Sequence, residues 1–190
     1  MSHHVKTYTT PEEYLAFERK AENRNEYVNG EIFAMTGASR KHNLIAGNIY
    51  VELRQQIKGK PCEAYPGEMR IKAPPARSYV YPDVVIVCDE PKFEDAYFDT
   101  LLNPTLVVEV LSKSTESYNR LAKSAYYRTI ESLVEYLLVA QEEYRVEQYV
   151  KQTDARWLLS DVRSLESVIE LKSIDCSLAL RDLYDRVSID

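Results

Sequence analysis

Two short apolar segments, Tyr81-Pro82-Asp83-Val84-Val85-Ile86-Val87 and Leu106-Val107-Val108-Glu109-Val110-Leu111-Ser112, each carry a single acidic residue. Runs so rich in valine and isoleucine read as strands. An acid inside such a run is costly to bury unless its charge is compensated, and a divalent cation suits two carboxylates of this kind. Side chains alternate along a strand, so Glu109 shares a face with Leu111 and not with Val108 or Val110. Asp83 and Glu109 are therefore expected to meet across neighbouring strands. Two carboxylates, a backbone carbonyl and waters make the oxygen-rich octahedron that Mg2+ or Mn2+ prefers, which points to a metal-dependent hydrolase.

The 190 residues are 45% hydrophobic, enough for one core, and no break in composition divides them. A single domain over residues 1–190 is expected. No apolar run approaches the roughly 20 residues that cross a bilayer, and the N-terminus lacks the blocks of a signal peptide. The expectation is a cytoplasmic protein with no membrane partner. Cys62, Cys88 and Cys176 are few and widely spaced, which favours reduced thiols, with Cys88 as a small buried hydrophobe. A formal charge of −6 argues against broad non-specific binding of nucleic acid and leaves room for a local basic patch.

Thr10-Pro11-Glu12-Glu13 supplies an N-cap, a proline at N1 and an acid at N3, predicting a helix to about Lys20. Asn29-Gly30 suits a two-residue hairpin turn within Glu26 to Met35. Ser39 can cap a longer helix in which Leu44, Ile45, Ile49, Leu53 and Ile57 recur at helical spacing. Strands are predicted over Pro61–Ala73, Tyr79–Val87 and Thr105–Leu111, then a helix over Ser114–Ile130. Further strands are expected at Leu133–Ala140, Tyr144–Lys151, Arg156–Leu159 and Ser167–Leu171, with a closing helix over Leu178–Val187. This order indicates α/β or α+β, a central mixed sheet flanked by helices. Exposed strand edges and fifteen tyrosines point to a homodimer.

Pro82-Asp83 followed by Glu109 in an apolar strand resembles the PD-(D/E)XK nuclease superfamily. More narrowly, Glu26-Tyr27-Val28-Asn29-Gly30-Glu31, Lys41-His42-Asn43, Tyr81-Pro82-Asp83-Val84, Val108-Glu109-Val110-Leu111-Ser112, and Lys123 with Tyr127 resemble the Uma family of restriction-endonuclease-like proteins. The resemblance implies a restriction-endonuclease-like fold and hydrolysis of nucleic acid, DNA foremost, with Mg2+ or Mn2+. It implies that Asp83 and Glu109 hold the metal, helped by the carbonyl of Val110. The superfamily's lysine two residues after the second acid is replaced here by Leu111. Lys123 matches the displaced position, and Tyr127 follows one helical turn later on the same face.

Asn119 stands where relatives carry an acid, so that position is left out of the site. Glu31 is taken as a third acid, with Glu26 an almost equal candidate, and His42 as a contact for phosphate or a proton. Two other readings fit the acidic chain: a nuclease-like binding or regulatory module without catalysis, and a metal hydrolase of a small phosphorylated molecule.

Overall fold

A computed structural model describes residues 8–73, 77–112 and 123–189. Helix α1 (Pro11–Glu18) starts as predicted: Thr10 Oγ1 accepts from Glu13 N, and the Glu13 side chain accepts from Thr10 N. A reciprocal cap of this kind stabilises a helix end by about 1 kcal/mol. Strands β1 (Asn25–Val28) and β2 (Glu31–Ala34) form the expected hairpin, with Asn29 at φ 50° and Gly30 at φ 91°. Both turn residues occupy the left-handed region that this tight turn requires. Ser39 caps α2 (Arg40–Gln56), which buries Ile45, Ile49 and Leu53.

Single predicted strands are split in the structure. Pro61–Ala73 becomes β3 (Cys62–Pro66) and β4 (Arg70–Ala73), and Tyr79–Val87 becomes β5 (Ser78–Val80) and β6 (Val84–Cys88). The breaks fall at Gly67 and at Tyr81-Pro82-Asp83, where proline withholds a ladder donor and the chain crosses between sheets. A two-residue β7 (Thr100–Leu101), absent from the sequence reading, precedes β8 (Leu106–Leu111). The predicted helix over Ser114–Ile130 lies partly outside the described residues; Ser124–Tyr127 is helical and is α3. There follow β9 (Glu135–Ala140), β10 (Val146–Lys151), β11 (Trp157–Val162), β12 (Val168–Leu171), β13 (Cys176–Ala179) and α4 (Leu180–Leu183). The closing helix is thus shorter than predicted, since Cys176–Ala179 pairs with β12 as a hairpin.

The strands form a six-stranded mixed sheet, β11-β10-β9-β8-β6-β3, and a five-stranded sheet, β2-β1-β5-β4-β7. One face of the six-stranded sheet packs Val84, Ile86, Val108 and Val110 against α2, the β12–β13 hairpin and α4. Its other face packs Val85, Val87, Val107 and Leu111 against Ile71, Val80 and Leu101 of the five-stranded sheet and Tyr127 of α3. Beyond that sheet, Tyr14 and Leu15 of α1 cover Tyr27 and Tyr79. Each large apolar side chain so buried contributes about 1.5–3 kcal/mol. The acids at positions 83 and 109 lie at the boundary between these layers.

The cysteine expectation is corrected. Cys62 and Cys88 are direct partners in the β3–β6 register, and they form a disulfide with Cα atoms 4.0 Å apart. Cys88 is therefore a cross-link as well as a packed residue, while Cys176 is free and buried. Spacing along the chain carried no sign of this, because pairing depended on strand register. No described helix is long and apolar enough to cross a membrane.

Candidate active site

The β6–β8 register sets the first contact. Val84 faces Val108, so one step further along the antiparallel pair Asp83 stands opposite Glu109, on the same face. Asp83 Oδ2 accepts a hydrogen bond from Val110 N at 2.7 Å, which fixes the carboxylate against the second acidic strand. His42, in the first turn of α2, places Nε2 3.3 Å from the same Oδ2. The N-cap bond from His42 N to Ser39 Oγ, 3.1 Å, fixes this end of the helix. His42 Nδ1 is buried with no partner among the described residues.

Glu109 is 3% exposed. Its Oε1 accepts from Lys123 Nζ at 3.0 Å and from the hydroxyl of Tyr127. Lys123 Nζ also lies 2.7 Å from Glu26 Oε1, which accepts in turn from Tyr81 N at 3.2 Å. The lysine thus bridges two buried acids, and the backbone just before Pro82 holds one of them. Of the two hairpin acids, Glu26 is the one placed within 2.7 Å of Lys123. Glu31 opens β2 opposite Val28, two register positions nearer the turn.

Three acids therefore converge with one permanent cation. Burial pushes the Glu109 carboxyl up; the charge of Lys123 opposes this, Asp83 and Glu26 add to it, and the result is about 7. Burial would lower the His42 imidazole, but its bond to Asp83 and the negative charges of Asp83 and Glu109 raise it above its ordinary value. Burial would likewise lower Lys123, and the flanking Glu109 and Glu26 instead hold its ammonium firmly protonated. An over-acidic buried cluster of this kind is where further positive charge is most strongly stabilised.

The donor set can be compared with what a hard divalent cation requires. Asp83 Oδ1 and Glu109 Oε2 receive no hydrogen bond from the described residues, whereas the second oxygen of each carboxylate is anchored. Each acid is oriented through one oxygen. No group of three His, Cys, Asp or Glu residues is gathered at metal-holding distance among the described residues. The residues fit a site of two carboxylates completed by water, as Mg2+ commonly takes.

A family sequence model described as "Putative restriction endonuclease" (Uma2) matches residues 11–181. The chain belongs to the Uma2 family. It is 39% identical over 161 residues to "Uncharacterized protein sll1609" of Synechocystis sp., covering 85% of this chain and 91% of the relative. A second protein of that organism, "Uncharacterized protein slr1290", is 35% identical over 175 residues, 92% of this chain and 90% of the relative. A crystal structure from Anabaena variabilis, described as "a putative nuclease belonging to DUF820", has a TM-score of 0.74 at 17% identity, covering 94% of this chain and 99% of that one. That likeness shows a shared restriction-endonuclease-like fold. In this Uma2 chain Leu111, where the wider superfamily places a lysine, is buried against the core. The ammonium beside Glu109 is that of Lys123.

Sequence reading missed the lysine's double attachment. Glu26 lies in a short hairpin whose signal is its turn, and nothing along the chain shows that residue 26 meets residue 123. The Pro82 break was the usable clue, since the backbone N–H before it is the donor that orients Glu26.

Proposed function

We propose that this protein is a metal-dependent nuclease that hydrolyses phosphodiester bonds of DNA, acting as one domain in the cytoplasm. The observation carrying this reading is the meeting of Asp83 and Glu109 on one face beside the buried Lys123, in a family of restriction-endonuclease-like proteins. Asp83, Glu109 and the carbonyl of Val110 would hold Mg2+ or Mn2+. Such an ion supplies charge neutralisation and a more acidic water.

The chain's own residues account for the rest. Val110 N and His42 anchor Asp83 through Oδ2. Tyr127 and Lys123 do the same for Glu109. Lys123 places an ammonium where negative charge grows on the attacked phosphate, and Tyr127, whose one hydroxyl proton goes to Glu109, keeps that carboxylate oriented beside it. Glu26 keeps that ammonium charged and aimed, and takes the third-acid role that sequence reading gave to Glu31. His42 meets Asp83 through Nε2, a position suited to sharing a proton with it.

The test is cleavage of linear and supercoiled DNA by the purified chain with Mg2+ or Mn2+, beside titration calorimetry of each ion without substrate. Cleavage that stops on chelation supports the reading. Ion binding with turnover of nucleotides and not of DNA would reassign the substrate, and absence of both binding and cleavage would leave a nuclease-like binding module.

A further inference from the structure

The six-stranded sheet ends on two unlike edges. At one, β3 carries Pro66 and the exposed Glu63, and its first residue is cross-linked to β6. Such features discourage further pairing. At the other, β11 pairs with β10 at all six positions from Trp157 to Val162 without a bulge, and it contains no proline or lysine. Among the described residues no strand lies beyond it.

The alternation of the ladder shows which backbone groups are open. Gln152 N donates to Arg156 O at 2.7 Å, one pair before Lys151 and Trp157. Bonded and non-bonded pairs alternate in an antiparallel ladder. Leu158, Ser160 and Val162 therefore turn their N–H and C=O groups to β10, and Trp157, Leu159 and Asp161 turn theirs outward. Leu158 and Leu159, on opposite faces, are 57% and 50% exposed.

Charge selects the occupant. The strand's single charged residue, Asp161, is held by Arg145 Nε and Nη2, each at 3.0 Å, and by Arg163. Arg156, just before the strand, pairs with Asp154. This edge offers no uncompensated charge to a polyanion or a charged peptide. An identical strand meets no repulsion there, although the whole chain carries −6.

We propose that β11 is the interface between two copies of this chain, joined antiparallel about a two-fold axis normal to the sheet. That axis keeps the two faces distinct. Centred on Leu158, it sets Leu158 against the second copy's Leu158 on one face and Trp157 against the second copy's Leu159 on the other. Apolar then meets apolar on both sides, and the outward backbone groups of Trp157 and Leu159 find partners.

The mass of the full chain in solution, by light scattering across a concentration series, tests this independently of any nuclease activity. The expected result is twice the 22.0 kDa chain mass. Leu158→Lys and Leu159→Pro should each halve it; the proline removes only an outward donor that the β10 ladder does not use. Should either variant unfold, amide exchange in the unaltered chain serves instead, with Trp157 and Leu159 slowing as concentration rises. A monomer at every concentration, a dimer that survives both folded variants, or outward amides that exchange equally fast in the dimer would overturn the proposal.

Discussion

Two charge clusters meet at Tyr81 and are balanced to different degrees. Its backbone N–H holds Glu26 of the candidate site, and its hydroxyl donates to Glu18 and accepts from Arg70, each at 3.0 Å. In the second cluster Arg70, 2% exposed, donates to Thr100 and lies 2.9 Å from Asp99. Arg19 grips Asp99 and Asp95 and stacks over the ring of Tyr97 at 4.0 Å. Burial alone would raise the Asp99 carboxyl, but the Arg19 bonds and the Arg70 charge hold it near about 2. At the site, burial and neighbouring acids instead raise Glu109 to about 7. One cluster sets Arg19 and Arg70 against Asp95, Asp99 and Glu18, so its acids are largely offset by its own residues and it serves the fold. The other keeps an excess of acid, which structure alone does not require and catalysis can use.

The sharpest way to break this contrast is to remove an acid from the site. Asp83→Asn and Glu109→Gln should each cut DNA cleavage on the order of 10³-fold, the scale of losing an essential electrostatic group, while thermal melting shows no loss of stability. A melting point that falls as far as the activity would make the site structural. Next in size is Lys123→Met, which leaves Glu26 and Glu109 buried without their cation and should cost about 3–5 kcal/mol in urea unfolding. A variant as stable as the parent would show that the two acids do not need the lysine.

The balanced cluster gives a smaller and pH-dependent effect. Asp99→Asn should cost about 2 kcal/mol at neutral pH, the worth of hydrogen bonds to a charged group, with cleavage unaffected. The Asp99 carboxyl is lower in the folded chain than its unfolded value of about 3.9. Its contribution is therefore present above about pH 4. It is lost as pH falls through about 2. Parent and variant unfolding curves should converge over that acid range; a gap of constant size down to pH 2 would remove Asp99 from the network. The smallest expected change is in Glu26→Gln, a loss of about 10–100-fold in cleavage, as for groups that orient a ligand residue. The same measurement on Glu31→Gln separates the two hairpin acids.

Much of the path to the site was legible from local chemistry. The helix caps at Thr10 and Ser39 and the turn at Asn29-Gly30 act within a few residues, so their outcome is written where they stand. The strand character around Val84–Val87 and Leu106–Leu111 was equally plain. What failed was continuity: Tyr79–Val87 looks like one strand because its apolar residues are unbroken, yet Pro82 sends its halves to different sheets. The second sheet was hidden for the same reason. Glu26 and the Cys62–Cys88 pair were illegible because both depend on contacts between distant segments.

By itself the sequence determined the two acidic apolar strands and the helix starts. Each of these is a matter of residue type and short-range spacing. Only the tertiary structure decided that Asp83 faces Glu109, that Lys123 lies between Glu109 and Glu26, and that β11 ends its sheet among the described residues. Register and sheet order place those groups, and both follow from how separate segments bury one another's apolar faces.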